Sequence, residues 1–236
     1  MIKKILMRLG KKYYWEQGDL HTDSGVVKEE DLKKNTNRVN AHSGKELIMF
    51  DANFTDNIEK IKRGPQAMME KDIGYIITRT GIDKNSVVLE AGTGSGKLTI
   101  YLARLVKKVH SYDTDESNLN LAKKNIALFD LKNVDLKNKD VYENIDEKDL
   151  DLVVLDLPEP WNALDNVYDS LKSGSYLVVY VPSVTQVIQL VENLKDKFVL
   201  DEVIEIMKRD WFVEGLKVRP KSEMQYTAFM IFVRKV

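Results

Sequence analysis

Cysteine is absent from the 236 residues, which excludes disulfides, thiolate zinc sites and thiol nucleophiles together. Histidine is scarce: His21, His42 and His110 are too few and too scattered to specify a metal site, so no metal is expected. Long apolar runs are missing as well. Residues 1–8 are basic but lack the apolar core of a signal peptide, and no later stretch approaches the roughly 20 residues of a membrane span. A cytoplasmic protein with no membrane partner is the expectation. Neither sign of charge dominates: formal net charge is -1 although 31% of residues are charged. Any polyanionic partner therefore has to be held by a local patch, not by the field of the whole molecule.

What is present is 43% hydrophobic content, ample for a buried core. Basic residues gather at Lys3-Lys4, Lys11-Lys12, Lys33-Lys34, Lys60 with Lys62 and Arg63, and again over 208–221. These clusters fit a solvated, lysine-rich surface as well as a nucleic-acid patch, and composition does not separate the two. There is no internal repeat and no low-complexity tract.

From residue 87 onward, strand-like and helix-like segments alternate, the pattern of a parallel sheet covered by helices. Strands are expected over 87–90, 109–113, 134–137, 152–155 and 176–181, with helices over 97–107, 116–129 and 185–195. Leu119, Ala122, Ile126 and Phe129 share one face of the second helix at spacings of three or four. In the third, Val187, Ile188, Leu190, Val191 and Leu194 are expected to face the sheet. Two β-rich runs, 198–207 and 227–233, predict an antiparallel pair at the end of the sheet. Residues 73–79 read as a helix leading into it. Residues 1–57 have a different texture, glycine- and asparagine-rich with short alternating stretches, and are read as a small β-rich domain before a catalytic domain over 58–236.

Glu90-Ala91-Gly92-Thr93-Gly94-Ser95-Gly96 turns out of the first of these strands into a helix, where glycines can bring bare backbone against a ligand. A phosphate-binding P-loop would need glycine at Ala91 and Ser or Thr at Leu98, and fails twice. A dinucleotide fingerprint would need its third glycine at Lys97. The spacing instead resembles the first motif of Rossmann-like S-adenosylmethionine-dependent methyltransferases. That cofactor has no pyrophosphate and needs acceptors for its positive charges, which Glu90 supplies beside the loop. Asp113 ends the second strand, where such folds place an acid on the ribose hydroxyls. Asp140 follows the third strand, where this class sets an acid for the adenine amino group. Asp156-Leu157-Pro158-Glu159-Pro160-Trp161 follows the fourth, at the place of catalytic or substrate-contacting residues.

Together with His21-Thr22-Asp23-Ser24-Gly25, Ala41-His42-Ser43-Gly44-Lys45, Lys62-Arg63-Gly64-Pro65-Gln66, Lys71-Asp72 and Val179-Tyr180-Val181-Pro182, these motifs span most of the sequence. The chain resembles the tRNA (adenine-58, N1) methyltransferases of archaea and bacteria, relatives of the catalytic subunit of the eukaryotic enzyme. The resemblance implies transfer of a methyl group from S-adenosylmethionine to N1 of adenine 58 in the T-loop of tRNA, with adenine 57 left open as a second target. It makes Asp156 the catalytic carboxylate, also touching the cofactor. Gln66, Glu90, Gly92, Thr93, Gly94, Ser95, Gly96, Leu98, Asp113 and Asp140 would hold the cofactor, and Tyr180 and Arg63 the substrate. A homotetramer is implied as well. Glu70 departs from the proline common at that position, and 208–226 is matched less clearly. The rival readings are a methyltransferase acting on a protein carboxylate or a small molecule, and a catalytically silent RNA-binding subunit. An intact Asp156 and glycine loop argue against the second.

Overall fold

The computed structural model describes every residue except Arg63, Pro65 and Gln66, and for 222–225 it describes the backbone alone. The chain forms two compact units, Met1–Ile61 and Lys62–Val236. The first contains β1 (Lys4–Arg8), β2 (Lys11–Trp15), β3 (Leu20–Thr22), β4 (Gly25–Val27), α1 (Glu29–Leu32), β5 (Arg38–Asn40), β6 (Glu46–Asp51) and α2 (Phe54–Ile58). Four strands pair in the order β2-β1-β6-β5, and β3 with β4 makes a separate hairpin. Leu6, Trp15, Val27, Leu32, Leu47 and Met49 form its core.

The second unit runs α3 (Glu70–Thr80), β7 (Val87–Ala91), α4 (Lys97–Ala103), β8 (Lys108–Asp113), α5 (Glu116–Ala127), β9 (Val134–Asn138), β10 (Leu150–Leu155), α6 (Leu164–Ser170), β11 (Leu171–Val181), α7 (Val184–Asn193), β12 (Phe198–Glu205), β13 (Lys208–Glu214), β14 (Lys217–Gln225) and β15 (Phe229–Lys235). Seven strands lie in the order β12-β15-β11-β10-β7-β8-β9. The pairings from β11 to β9 are parallel; those of β15 with β11 and with β12 are antiparallel. This is the Rossmann-like α/β sheet expected from the sequence, with its antiparallel end.

The central strands are near-continuous apolar runs because both of their faces are covered. On one face Leu89, Val153, Leu155, Leu177 and Val179 pack with Leu164, Val167 and Leu190. On the other, Val88, Leu152, Val154 and Val178 pack with Ile73, Ile76, Leu98 and Leu102. Neighbouring residues along each strand fall on opposite sides, as the pleat requires. Asp115 caps α5 by accepting from the Ser117 N–H at 2.7 Å, and Gly81, at φ 66°, ends α3 in the left-handed conformation.

Two expectations need correction. The first helix stops at Ala103 rather than 107. Ile188 is exposed, not turned to the sheet. At about 100° per residue, Val187, Leu190, Val191 and Leu194 share an arc ~100° wide, and Ile188 lies ~60° outside it. The 208–225 stretch is a two-stranded hairpin, β13 with β14, which sequence reading left unassigned.

The chain steps from β7 outward to β8 and β9, then crosses back to β10 on the other side of β7. Strand order reverses between β7 and β10, so a crevice opens above their carboxyl ends. The glycine loop follows one and Asp156 the other.

Candidate functional site

The two loops meet through their backbones. The Asp156 N–H donates to the Ala91 carbonyl at 2.9 Å. Gly92 has φ 94°, and a Cβ there would lie 2.3 Å from the Asp156 carbonyl oxygen. Gly96, at φ 76°, packs against Ala122 of α5, where a Cβ would come within 3.0 Å of the alanine methyl. Two of the three glycines therefore make room for protein, and a Cβ on Gly94 meets nothing nearer than 4.0 Å. Bare backbone with open space beside it, expected of the whole loop, is found among these three only at Gly94.

A cavity of about 380 Å³ opens beside this junction. Glu90, Gly92, Thr93, Gly94, Ser95, Leu98, Asp113 and Asp156 all line it. A second, of about 160 Å³, shares Gly92 and Asp113 and adds Asp140, Tyr142 and Leu157. The acids expected at four strand ends are thus distributed along one continuous edge. Arg63 and Gln66 lie outside the described residues. Tyr180 lines neither cavity. Sequence reading missed Met68, Lys97, Asp115 and Asn118 in the larger wall; Asp115 and Asn118 follow Asp113 in the turn into α5 and were legible as its continuation.

Each acid has a distinct environment. Glu90 is buried, and its carboxyl accepts from the Thr99 hydroxyl at 2.6 Å and from Ser111 at 3.3 Å. Burial outweighs those bonds, and with the nearby Asp156 and Asp113 charges it pushes the carboxyl up to about 8. Asp113 accepts from the Gly94 N–H at 2.9 Å and the Asp115 N–H at 2.9 Å, so it holds the loop as well as facing the cavity. Asp140 accepts from the Tyr142 N–H at 2.8 Å, the local bond of a turn residue. Asp156 is half-buried, and among the described residues no group donates to its carboxylate. Burial raises it to about 7. An unpartnered carboxylate in a cavity wall is free to accept from a ligand, and a positive ligand beside it would hold it ionised.

The loop that carries Asp156 is anchored behind it. Gln186 of α7 donates to the Pro158 carbonyl at 2.9 Å, and the Glu159 N–H donates to the Tyr142 hydroxyl at 3.3 Å. Tyr180 ends the neighbouring strand, but its hydroxyl is buried and donates to Asp72 at 2.9 Å. Thr227 donates to the same carboxylate oxygen at 2.7 Å, and Lys71 to the other at 2.7 Å. Burial pushes the Tyr180 phenol well above its ordinary range, with the Asp72 and Asp156 charges adding to it.

Away from the crevice, His110 faces Glu147 at 3.1 Å and Asp135 at 3.3 Å. Lys137 already stands on Glu147 at 2.6 Å, so the cluster carries its own cation. The N-terminal basic clusters are also largely paired: Lys4 with Asp51, Lys11 with Asp23, Lys12 with Asp56, Lys33 with Glu29 and Lys34 with Asp31.

The model of the family described as tRNA methyltransferase complex GCD14 subunit matches residues 59–228. Among curated proteins, the tRNA (adenine(57)-N(1)/adenine(58)-N(1))-methyltransferase TrmI of Methanocaldococcus jannaschii is 34% identical, the match covering 94% of this chain and 90% of that protein. The tRNA (adenine(58)-N(1))-methyltransferase TrmI of Thermus thermophilus is 33% identical over 93% and 90%. Of solved structures, the tRNA (m1A58) methyltransferase TrmI of Aquifex aeolicus superposes with TM-score 0.86 at 28% identity, covering 99% of this chain and 96% of that one. A SAM-dependent O-methyltransferase of Thermotoga maritima gives 0.88 at 28% identity, covering 100% and 93%.

Proposed function

Because the chain belongs to the GCD14 family of tRNA methyltransferases, we infer that it transfers a methyl group from S-adenosylmethionine to N1 of adenine 58 in tRNA. Fold alone does not choose the substrate, since one structural neighbour of equal similarity is named an O-methyltransferase. The family match and the two tRNA-acting relatives, each matched over nine-tenths of its length, make the choice. Methylation of adenine 57 as well is favoured by the name of the archaeal relative.

The crevice suits the cofactor. A methyl donor bound there supplies an activated methyl group on a positively charged sulfur. Glu90, Asp113 and Asp140 are the residues that would hold it, along the edge formed by Gly92, Thr93, Gly94, Ser95, Gly96 and Leu98. Gln66 keeps the cofactor role and Arg63 the substrate role that the sequence resemblance implies.

The observation that carries the catalytic assignment is the unpartnered carboxylate of Asp156 in the cavity wall. N1 lies on the pairing edge of adenine, so the base has to leave its stack, at a cost of about a few kcal/mol. Asp156 then accepts a hydrogen bond from the exocyclic amino group and orients N1. As the ring gains positive charge on methylation, the fixed carboxylate attracts the transition state more than the ground state. The Tyr180 hydroxyl is committed to Asp72, so its ring, not its phenol, is the part offered to the base.

The N-terminal unit is read as a separate domain outside the methyl-transfer chemistry, since every acid named for the site lies beyond residue 62. A homotetramer is supported by large apolar side chains left exposed within residues 199–218, Val199, Trp211, Val213, Leu216 and Val218. Among the described residues no helix is long and apolar enough to cross a membrane, and tRNA as substrate implies action in the cytoplasm. The test is to incubate the protein with S-adenosylmethionine and unmodified tRNA, then digest and map the product. 1-Methyladenosine at 58 is expected. Its absence, with transfer to a protein carboxylate or a small molecule instead, would overturn the reading.

A further inference from the structure

The larger cavity is lined by four carboxylates, Glu90, Asp113, Asp115 and Asp156, and among the described residues by a single cation, Lys97. The Lys97 side chain is only 2% exposed, and its ammonium pairs with Glu70 at 2.6 Å. A buried ammonium without a counter-charge is costly. Glu70, with a side chain 44% exposed, meets one of the three ammonium donors, and among the described residues no other side chain takes the remaining two.

S-adenosylmethionine carries two positive groups, the sulfonium and the ammonium, and one negative group, its α-carboxylate. Four acids can answer the positive groups. Held ionised by those positive groups, none of them can answer the carboxylate, which they repel. The loop backbone offers less than its length suggests, because the Gly94 N–H is donated to Asp113, the Gly92 and Thr93 N–H groups to the Tyr112 carbonyl, and the Gly96 N–H to the Thr93 carbonyl. We propose that Lys97 receives the α-carboxylate of the cofactor, and that Glu70 is the positioning residue that holds the ammonium at the cavity wall. This rests on the cofactor reading above and deepens it: the site selects a complete amino-acid moiety, and does not recognise the nucleoside alone.

The test is calorimetric titration of the full chain with S-adenosylmethionine and with its decarboxylated analogue, which keeps both positive groups and lacks only the carboxylate. The wild-type protein is expected to prefer the complete cofactor by about tenfold or more, the scale of one charge-assisted hydrogen bond. Lys97→Met is expected to bind both ligands alike, with the decarboxylated analogue held as well as by wild type. The double variant Lys97→Met/Glu70→Gln removes the stranded carboxylate and repeats the test should the single variant fold poorly. Glu70→Gln alone is expected to reduce the preference without abolishing it, since the ammonium remains but loses its charged anchor. Equal weakening of both ligands by both lysine variants would make Lys97 a structural residue and overturn the proposal, as would an unchanged preference. A wild-type protein that binds neither ligand would sink the cofactor reading itself, a result distinct from either.

Discussion

Two carboxylates, Asp156 after β10 and Asp72 in α3, are treated in opposite ways. Asp72 is fully buried and saturated, taking donors from Lys71, Tyr180 and Thr227. Asp156 is less buried and has no donor among the described residues. A saturated acid fixes architecture; an unsaturated one in a cavity is available for chemistry. The Lys71-Asp72 motif and the Asp156 motif carry the same functional group, and only their surroundings separate the roles.

The largest effect expected from this contrast is on stability. Asp72→Ala leaves the Lys71 ammonium, whose side chain is 9% exposed, without its counter-charge, and deprives two hydroxyls of their acceptor. A loss of about 3–5 kcal/mol is expected, as for breaking one side of a buried pair. Denaturant unfolding measures it, and a loss below ~1 kcal/mol would erase the distinction. Asp156→Ala is expected to do the converse. Turnover should fall about 10²–10³-fold, the scale of one lost electrostatic contact in a transition state, with the unfolding midpoint unchanged or raised and cofactor affinity within a few-fold. Single-turnover rates and calorimetry on one preparation separate the three quantities.

A smaller effect follows from protonation. With Asp156 raised to about 7 in the ligand-free protein, kcat/KM for S-adenosylmethionine should climb by up to about tenfold per pH unit below that value and level off above it, because the free enzyme needs the ionised acceptor. Asp156→Asn should remove the slope along with most of the rate. The stability term has the opposite sense. An acid whose folded value is raised favours the fold fully below its ordinary value near 3.8 and loses that contribution as pH rises through about 7. Glu90 adds a loss of the same sign through about 8. The wild-type unfolding midpoint should therefore fall from about pH 4 to about pH 8 and level off above it, and fall less in Asp156→Asn.

The same contrast separates what sequence could reveal from what it could not. The strand pattern, the spacing of Gly92, Gly94 and Gly96 and the acids at strand ends are local, and the cavity walls contain Glu90, Asp113, Asp140 and Asp156 as expected. What those glycines face is not local. Gly92 clears the Asp156 backbone and Gly96 clears Ala122, contacts across 64 and 26 positions of sequence. The pairing of Asp72 with Thr227 spans 155 positions, so nothing near either residue announces it. Lys97 failed a motif test when read as the wrong residue for a dinucleotide loop, and its pairing with Glu70 emerges only when α3 is set against α4. Lysine clusters were ambiguous by composition because their acid partners are distant in sequence: Lys12 meets Asp56 and Lys4 meets Asp51.

The smallest effect is the one that tells whether Tyr180 belongs to the architecture, to the substrate, or to both. Tyr180→Phe removes a hydroxyl that donates to Asp72 while Thr227 and Lys71 remain on that carboxylate. The acid keeps two of its three partners, so the loss should be about 1 kcal/mol, the net worth of one hydrogen bond. KM for tRNA should stay within twofold, since the ring is intact. Tyr180→Ala should cost more stability, about 3–5 kcal/mol as for a large aromatic truncated in a core, and should also raise KM for tRNA while leaving cofactor affinity within a few-fold. If the phenylalanine variant raises KM for tRNA fivefold or more with stability unchanged, the hydroxyl is a substrate contact and Asp72 is less saturated than its bonds indicate. Steady-state kinetics on the two variants, read beside their unfolding curves, decides it.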